Sequence, residues 1–368
     1  MEKHRIIVVK VGTSSLTDTS GRLSQEKLTR VTDQISKLVK DGCRPVLVTS
    51  AAIAAGFERL GFRKRPTAVA DKQASASVGQ GLLMEQYAER LMKDGIPCGQ
   101  LLLTKDDFTS RQRYNNAFTA MQVLLSRGAV PVINENDAVA VDEIKIGDND
   151  TLSGQVASML HADLLVILTD IDGLYTANPR TDPDAKHIER VEKIDAEIMK
   201  LAGSAGSANG TGGMVTKLRG AAIAAAAGVP TVICSYLEED AILKAAKDTV
   251  KGTRFDASPL SMQSRKQWMA FYAESAGNLY VDEGAAEALE KHGSSLLSAG
   301  ITACEGDFAK GDVVNVYTRG SHKLLGRGLV RCAKQDIRKA LANGSSIEVI
   351  HRNDWADLSA FSTWEKKE

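Results

Sequence analysis

Several short segments of the chain are apolar at almost every position, and this pattern constrains the fold most strongly. The segment Leu164–Leu168 has no polar residue, and Val130–Ile133 and Ile6–Val9 are similar. A strand without a polar face is buried on both sides, as in parallel sheets covered by helices. Helical patterns lie between these segments, for example between Ser24 and Gly42, which suit the two ends of a helix. The alternation predicts an α/β layer with a mainly parallel sheet.

The pattern changes after about residue 256. The chain becomes rich in short β-like runs punctuated by glycine, such as Val313–Tyr317 and Gly328–Val330. Such runs are typical of small antiparallel strands. We predict three parts: a first domain at 1–256, a linker at 257–275 and a small β-rich domain at 276–368.

Composition excludes several classes of protein. The 46 basic and 46 acidic residues cancel, which argues against a chain dominated by nonspecific binding to nucleic acid or anionic membranes. The five cysteines are dispersed without a Cys-x-x-Cys pair, and the six histidines form no close pair. We therefore expect reduced thiols, no metal site and a cytoplasmic location. No apolar run reaches membrane-spanning length.

Two segments have the chemistry of phosphate sites. Lys10 interrupts an apolar strand, and Gly12–Ser15 follows at once with hydroxyls and backbone N–H groups. Further along, three glycines precede a helix whose first turn carries Thr216 and Lys217, where a polyphosphate could bind. The alternatives are a strand-end lysine that points to solvent and a flexible loop with an exposed lysine.

Acidic and amide residues follow other strands. Asn134–Asp137 and Gly147–Asp150 could hold an ammonium group, a lysine or hydrated magnesium, or simply form Asx turns. Asp170 and Asp172 after the most apolar strand could bind a ribose, a metal or nothing. A dinucleotide site is disfavoured, because no Gly-x-Gly-x-x-Gly follows a strand.

Six segments together resemble the glutamate 5-kinase branch of the amino acid kinase family. Their order and spacing match over about residues 5–255, and the tail is similar to a PUA domain at Val281–Gly284 and Gly293–Leu297. The six segments are Lys10–Ser14, Thr49–Gly56, Val132–Asp137, Gly147–Asp150, Leu168–Tyr175 and Gly210–Lys217.

The resemblance implies a three-layer αβα sandwich with a mainly parallel sheet and a small PUA-like domain. It implies ATP-dependent phosphorylation of the γ-carboxylate of L-glutamate to glutamyl 5-phosphate, the first step of proline biosynthesis. Magnesium would be held mainly by the ATP phosphates and water. Lys10 and Lys217 would contact the phosphates as catalytic residues, with Asp150 organising them. The implied substrate-binding residues are Ser50, Asp137, Asn149 and Asn134. The implied nucleotide-binding residues are Lys10, Gly12, Thr13, Thr169, Asp170, Thr211, Gly212, Gly213, Met214, Val215, Thr216 and Lys217.

Three of these assignments have a direct chemical reason. A free α-ammonium needs a carboxylate partner, so Asp137 favours glutamate over an N-acetylated substrate. We expect Asn149 and Ser50 to donate hydrogen bonds to substrate carboxylates. The family usually has glycine where this chain has Ala51. If the loop needs a positive φ or close backbone approach, Ala51 would weaken glutamate binding or displace Ser50; otherwise the change is silent or stiffens the loop.

The resemblance also implies partners. Proline would be a feedback inhibitor that competes with glutamate, sensed within about Asp107–Asp150. The chain would form a homo-oligomer, a tetramer or dimer, and could hand its product to glutamyl phosphate reductase. No membrane partner is expected. Two alternatives stay open: a related amino acid kinase with another carboxylate substrate, or an impaired kinase-like protein that binds RNA through the PUA-like domain. RNA binding is the less favoured, because acidic and basic groups nearly balance in that domain.

Overall fold

A computed structural model describes residues 4–140, 149–179, 181–204, 213–258 and 264–358. The chain divides into two compact units. The first is formed by Met1–Asp107 and Gln112–Ser261, and the second by Phe108–Arg111 and Met262–Glu368. None of the helices in the described ranges is both long enough and apolar enough to span a bilayer.

Ten strands are described in the first unit. They are β1 (Ile6–Val11), β2 (Arg44–Val48), β3 (Cys98–Leu103), β4 (Val130–Glu135), β5 (Leu164–Thr169), β6 (Leu174–Tyr175), β7 (His187–Ile188), β8 (Arg190–Val191), β9 (Thr231–Ser235) and β10 (Gly252–Phe255). Eight of them form one sheet in the order β3-β4-β2-β1-β5-β9-β10-β8, while β6 and β7 form a separate pair. Only the β9–β10 pair of the large sheet is antiparallel. The predicted, mainly parallel sheet is confirmed.

Helices cover both faces of this sheet. The described helices are α1 (Gln25–Lys40), α2 (Ala52–Gly56), α3 (Val69–Met92), α4 (Lys105–Thr109), α5 (Arg111–Ser126), α6 (Asn149–Leu160), α7 (Ala196–Ser204), α8 (Met214–Ala226) and α9 (Ala241–Ala246). Side chains of α1, α3 and α9 share one core cluster with Ile7 and Val9 of β1. Val8 points to the opposite face, is fully buried, and lies where α6 contacts β1. The first unit therefore has the expected three layers.

Local sequence signals explain where α1 begins and ends. The Ser24 side chain accepts a hydrogen bond from the Lys27 backbone N–H, which satisfies one unpaired donor of the first turn. Beyond the last turn, Gly42 has φ +80°, a conformation that glycine adopts at little cost. The predicted helix boundaries are within one residue of those observed.

The second unit is built around one six-stranded sheet. Its strands are β11 (Gly277–Val281), β12 (Leu296–Leu297), β13 (Ile301–Gly306), β14 (Val313–Thr318), β15 (Leu324–Val330) and β16 (Glu348–Asp357), in the order β12-β16-β15-β14-β11-β13. Its helices include α10 (Ser264–Phe271), α11 (Glu283–His292) and α12 (Lys334–Ala342). Its described pairs are antiparallel as predicted, except that β11 and β14 run parallel.

Candidate active site

Parallel pairing brings the carboxyl ends of four strands to one edge of the first unit's sheet. Within the sheet, Lys10 of β1 stands beside Val48 of β2 and Ile167 of β5. The polar residues that follow these strands must therefore lie near one another. Ligands of open α/β sheets bind at this kind of edge.

A buried ion cluster lies at the centre of this edge. The Lys10 Nζ is 2.6 Å from Asp150 Oδ1, and the Lys217 Nζ is 3.0 Å from Asp150 Oδ2. The Thr216 hydroxyl donates a hydrogen bond of 2.8 Å to the same Oδ2. The three charged residues are only 7%, 1% and 6% exposed for Lys10, Asp150 and Lys217. The negatively charged carboxylate of Asp150 thus holds two positively charged ammonium groups in place.

The cluster shifts the pKa values of Asp150 and Lys217. Burial alone would raise the pKa of Asp150, but Lys10 and Lys217 outweigh it and lower that pKa to about 2. Burial lowers the pKa of Lys217, and the nearby Lys10 adds to this, whereas Asp150 opposes it. At neutral pH Asp150 is ionised. The cluster therefore keeps a net positive charge that suits a polyanionic ligand.

Two glycines set the spacing between Asp150 and Lys217. Asp150 is in the first turn of α6 and Lys217 is in the first turn of α8. A Cβ atom at Gly154 would overlap the carbonyl of Gly220, and one at Gly220 would overlap the carbonyl of Asp150. The two helix backbones therefore touch, and only residues without a side chain allow this approach.

A polar network adjoins the ion cluster. The Asn149 Nδ2 lies 2.7 Å from the Thr49 carbonyl oxygen, 2.9 Å from Ser50 Oγ and 2.9 Å from Asn134 Oδ1. Asn134 in turn donates to Gln80 Oε1 at 2.8 Å. The buried Asn149 Oδ1 has no hydrogen-bond partner among the described residues. The amide nitrogen of Asn149, which we expect from the sequence to donate to a substrate carboxylate, is engaged by protein acceptors in this structure, and its Oδ1 is an open acceptor.

A pocket of about 270 Å³ opens beside this network, a size that suits a small substrate. Ser50, Asn134, Asp137 and Asn149, which the sequence nominates for substrate binding, all line it. Thr13 lines it as well, so the loop after β1 contributes to both the pocket and the cluster's surroundings. The structure thus brings the predicted substrate residues together.

Ala51 at the wall of this pocket has an unusual backbone. Its φ is +77° and its ψ is +14°, in the left-handed region that favours glycine. The loop therefore requires a positive φ, which is one of the two properties considered from the sequence. An alanine in this conformation costs roughly 1 kcal/mol or more of folding free energy. Ser50 nonetheless keeps its contact with Asn149.

The predicted nucleotide-binding residues lie on neighbouring elements. Gly213 is the N-cap of α8, and Met214, Val215, Thr216 and Lys217 form its first turn. Gly12 links β1 to a short 3₁₀ helix that begins at Thr13. Thr169 ends β5 and donates to Asp170 Oδ1 at 3.1 Å, and Asp170 is within electrostatic range of Lys217. Thr211 and Gly212 lie outside the described residues, as do Gly147 and Asp148 of the acidic motif.

The described side chains of the site offer few ligands for a metal ion bound by the protein itself. Within the described parts of the chain, no group of three or more histidine, cysteine, aspartate or glutamate residues could hold a metal ion. Asp150 is engaged by two lysines.

Several residues of the site were not nominated from the sequence. Gln80 supports Asn134 from α3, and Arg65 and Lys72 line the pocket. The basic run Arg63–Arg65 was a signal in the sequence, but a charged run is usually a solvated surface. Gln80 carried no signal, because it lies within an ordinary helical pattern.

Family models match both parts of the chain. Residues 5–235 match the amino acid kinase family, and residues 277–352 match the PUA domain. Among solved structures, the chain is similar to a carbamate kinase from Giardia lamblia bound to AMP-PNP, with a TM-score of 0.50 at 15% identity. That match covers 70% of this chain and 100% of the other. At this identity the likeness concerns the fold alone.

Relatives of nearly the same length are far closer in sequence. The chain is 55% identical over 355 residues to the glutamate 5-kinase of Streptococcus suis (strain 05ZYH33), covering 96% of this chain and 99% of the relative. It is 54% identical over 358 residues to the glutamate 5-kinase of Streptococcus sanguinis (strain SK36), covering 97% of each. The chain therefore belongs to the amino acid kinase family and, within it, to the glutamate 5-kinase branch.

Proposed function

We propose that the chain transfers the γ-phosphoryl group of ATP to the γ-carboxylate of L-glutamate and so begins proline synthesis. The observation that carries the mechanism is Asp150, which holds Lys10 and Lys217 at 2.6 Å and 3.0 Å beside the substrate pocket. A γ-carboxylate oxygen forms the new bond to phosphorus, the bond to the β-phosphate oxygen breaks, and ADP leaves. The products are glutamyl 5-phosphate and ADP.

This reaction needs charge neutralisation more than it needs a base. A glutamate side chain has a pKa of ~4.3, so it is already ionised and nucleophilic at neutral pH. The difficulty is that two anions must approach while negative charge is spread over the transferred group. Preorganised cations in a water-poor site lower this barrier most effectively.

In this mechanism Lys10 and Lys217 contact the phosphates, and Asp150 is a positioning residue. The carboxylate fixes both ammonium groups before ATP arrives, so little reorganisation is needed during the reaction. It also opposes the burial that lowers the pKa of Lys217 and so favours the protonated form of that lysine. The amides at the start of α8 lie beside Lys217 and can bind phosphate oxygens. Magnesium bound to the ATP phosphates would supply further charge neutralisation.

Substrate recognition rests on the pocket beside the cluster. Asp137 lines the pocket and offers a carboxylate to the α-ammonium of glutamate. The Asn149 Oδ1 is a second acceptor for the same group, because its amide nitrogen is already engaged. An N-acetylated substrate has no ammonium to fill these acceptors and would leave them unpaired.

The test is glutamate-dependent ADP release with ATP and Mg²⁺, with hydroxylamine to trap the acyl phosphate. N-acetylglutamate and aspartate are assayed in parallel. We expect turnover and a hydroxamate product with glutamate only. Folded protein without glutamate-dependent turnover would overturn the proposal, and turnover with another carboxylate alone would favour a related kinase.

We further propose that proline competes with glutamate, since its ring ammonium and its α-carboxylate carry the same pair of charges on one carbon. Inhibition that excess glutamate does not relieve would contradict this.

The domain boundaries at 256 and 276, a cytoplasmic homo-oligomer and transfer of the product to a reductase stay predictions. Copurified nucleic acid and salt-sensitive RNA binding without turnover would instead favour the RNA-binding alternative.

A further inference from the structure

One wall of the substrate pocket carries positive charges that the proposed mechanism does not use. Arg65 lies in the loop that precedes α3, and Lys72 lies in the first turn of that helix. Arg65 is exposed and Lys72 is half-buried. Among the described residues that line the pocket, these two supply the positive charge.

The pocket also carries negative charges. Glu135 and Asp137, at and just beyond the end of β4, line it, and Asp137 is within electrostatic range of Arg65. The pocket therefore offers both signs of charge within the dimensions of a small molecule. An α-amino acid head group has the complementary pair, an ammonium and a carboxylate on one carbon.

The other charged groups described at the site, and its open acceptors, are unsuited to the α-carboxylate. Asp137 and the Asn149 Oδ1 are acceptors and would repel it. Lys10 and Lys217 are both held by Asp150 in the buried cluster, where the phosphates require them. A carboxylate that enters a pocket without a cationic partner loses its hydration without compensation. Arg65 and Lys72 can supply the cationic partner that the α-carboxylate needs.

We propose that Arg65 and Lys72 bind the α-carboxylate of the amino-acid substrate and determine selectivity for it. This inference rests on the proposed function. Arg65 is the stronger candidate, because a guanidinium can form two parallel hydrogen bonds with one carboxylate. Lys72 contributes a point charge from a helix whose backbone fixes its position. Asp137 binds the ammonium on the same carbon, so the two interactions together orient the γ-carboxylate towards the ion cluster.

The experiment compares L-glutamate with isoglutamine, in which a neutral carboxamide replaces only the α-carboxylate. Arg65→Met and Lys72→Met remove each charge while keeping an extended apolar side chain. Arg63→Met is the matched control, since Arg63 is exposed in the same loop and does not line the pocket. Thermal unfolding of each variant verifies that the fold is intact.

We expect Arg65→Met and Lys72→Met each to lower kcat/KM for glutamate by about 10-fold to 100-fold, chiefly through KM. The same variants should change kcat/KM for isoglutamine by less than about twofold, so the selectivity ratio collapses. If isoglutamine turns over too slowly, its inhibition constant against glutamate replaces kcat/KM. Arg63→Met should resemble the wild type with both compounds.

Other outcomes decide against the proposal. A glutamate KM within twofold of wild type in both variants, or an equal loss with glutamate and isoglutamine, would overturn it. Wild-type protein that shows no glutamate-dependent turnover would overturn the proposed function itself. The two failures are therefore distinguishable in one set of assays.

Discussion

The two ends of the candidate active site handle charge in opposite ways. At the phosphate end, Lys10, Asp150 and Lys217 are almost completely buried, and the ammonium group of each lysine lies within 3.0 Å of an Asp150 carboxylate oxygen. At the amino-acid end, Arg65 is exposed and Lys72 is half-buried at the wall of an open pocket.

The difference reflects what each end must do. Transition-state charge is stabilised best by groups that are fixed in advance and shielded from water, since charge interactions strengthen as the effective dielectric falls. Recognition of a soluble zwitterion must be reversible, and partly hydrated charges exchange water for substrate at a small net cost. We therefore expect substitutions of charged residues at the phosphate end to affect both stability and turnover, and substitutions of charged residues at the amino-acid end to affect mainly KM.

The largest effect should follow Asp150→Asn. This change leaves two buried ammonium groups without a counter-charge, so kcat should fall by about 10²-fold to 10³-fold and the free energy of unfolding by ~3–5 kcal/mol. Steady-state kinetics and chemical denaturation measure the two quantities. Asp248→Asn is the control, because Asp248 forms an exposed ion pair with Arg254 and its φ of +59° suits asparagine. Equal effects from the two variants would contradict the contrast between the ends.

Gly220→Ala should be the next most damaging change. Its Cβ would overlap the Asp150 carbonyl, so α6 and α8 must separate. We expect a loss of about 3 kcal/mol in the free energy of unfolding, together with reduced kcat. Gly81→Ala provides the control, since Gly81 lies in α3 and nothing stands within 4 Å of the added methyl. That variant should gain about 0.5–1 kcal/mol, and a loss as large as that of Gly220→Ala would refute the packing argument.

The free energy of unfolding should depend on acidic pH through Asp150 at the phosphate end. The pKa of Asp150 is about 2, below its ordinary value of 3.8. Its ionised form therefore stabilises the fold above about pH 4, and that contribution, on the order of 2 kcal/mol, is lost as pH falls towards 2. The difference in unfolding free energy between wild type and Asp150→Asn should shrink across this window. If the difference in unfolding free energy between the two proteins does not change between about pH 4 and pH 2, the stabilising role of ionised Asp150 is contradicted.

The smallest effect should come from Ala51→Gly at the amino-acid end. Glycine adopts φ +77° without the steric cost of a Cβ, so we expect a gain of about 1 kcal/mol and a rise in Tm of about 2 °C. Differential scanning calorimetry without substrate measures both. Ala52→Gly, one residue further on and helical, should instead destabilise the protein by a similar amount. A gain from both variants would show that backbone strain at Ala51 is not the cause.

Much of the first unit follows from sequence pattern alone. Continuous apolar runs located β1, β4 and β5 to within one or two residues, because burial on both faces leaves a clear signal. The common sheet edge followed from parallel pairing. The parallel β11–β14 pair was not foreseen, because pairing partners in a β-rich segment depend on contacts distant in sequence.

The candidate site was only partly accessible from the residues themselves. Gly147–Asp150 alone could have been a set of turns, and only the resemblance implied that Asp150 organises the lysines. The positive φ of Ala51 depends on how β2 meets α2, which no local propensity encodes. Arg65 and Lys72 acquire meaning only when the path of the loop before α3 brings them to the same pocket as Asp137.

The backbone contact between Gly154 and Gly220 has a mechanical consequence. Because the main chains of α6 and α8 touch, neither helix can slide towards the other, and Asp150 and Lys217 share one stiff frame. A shorter side chain at position 217 cannot be brought back to Asp150 by a closer approach of the two helices. Lys217→His would therefore lose the ion pair with Asp150 even when the imidazole is protonated, and the main chain sets the minimum length of the cation at this position.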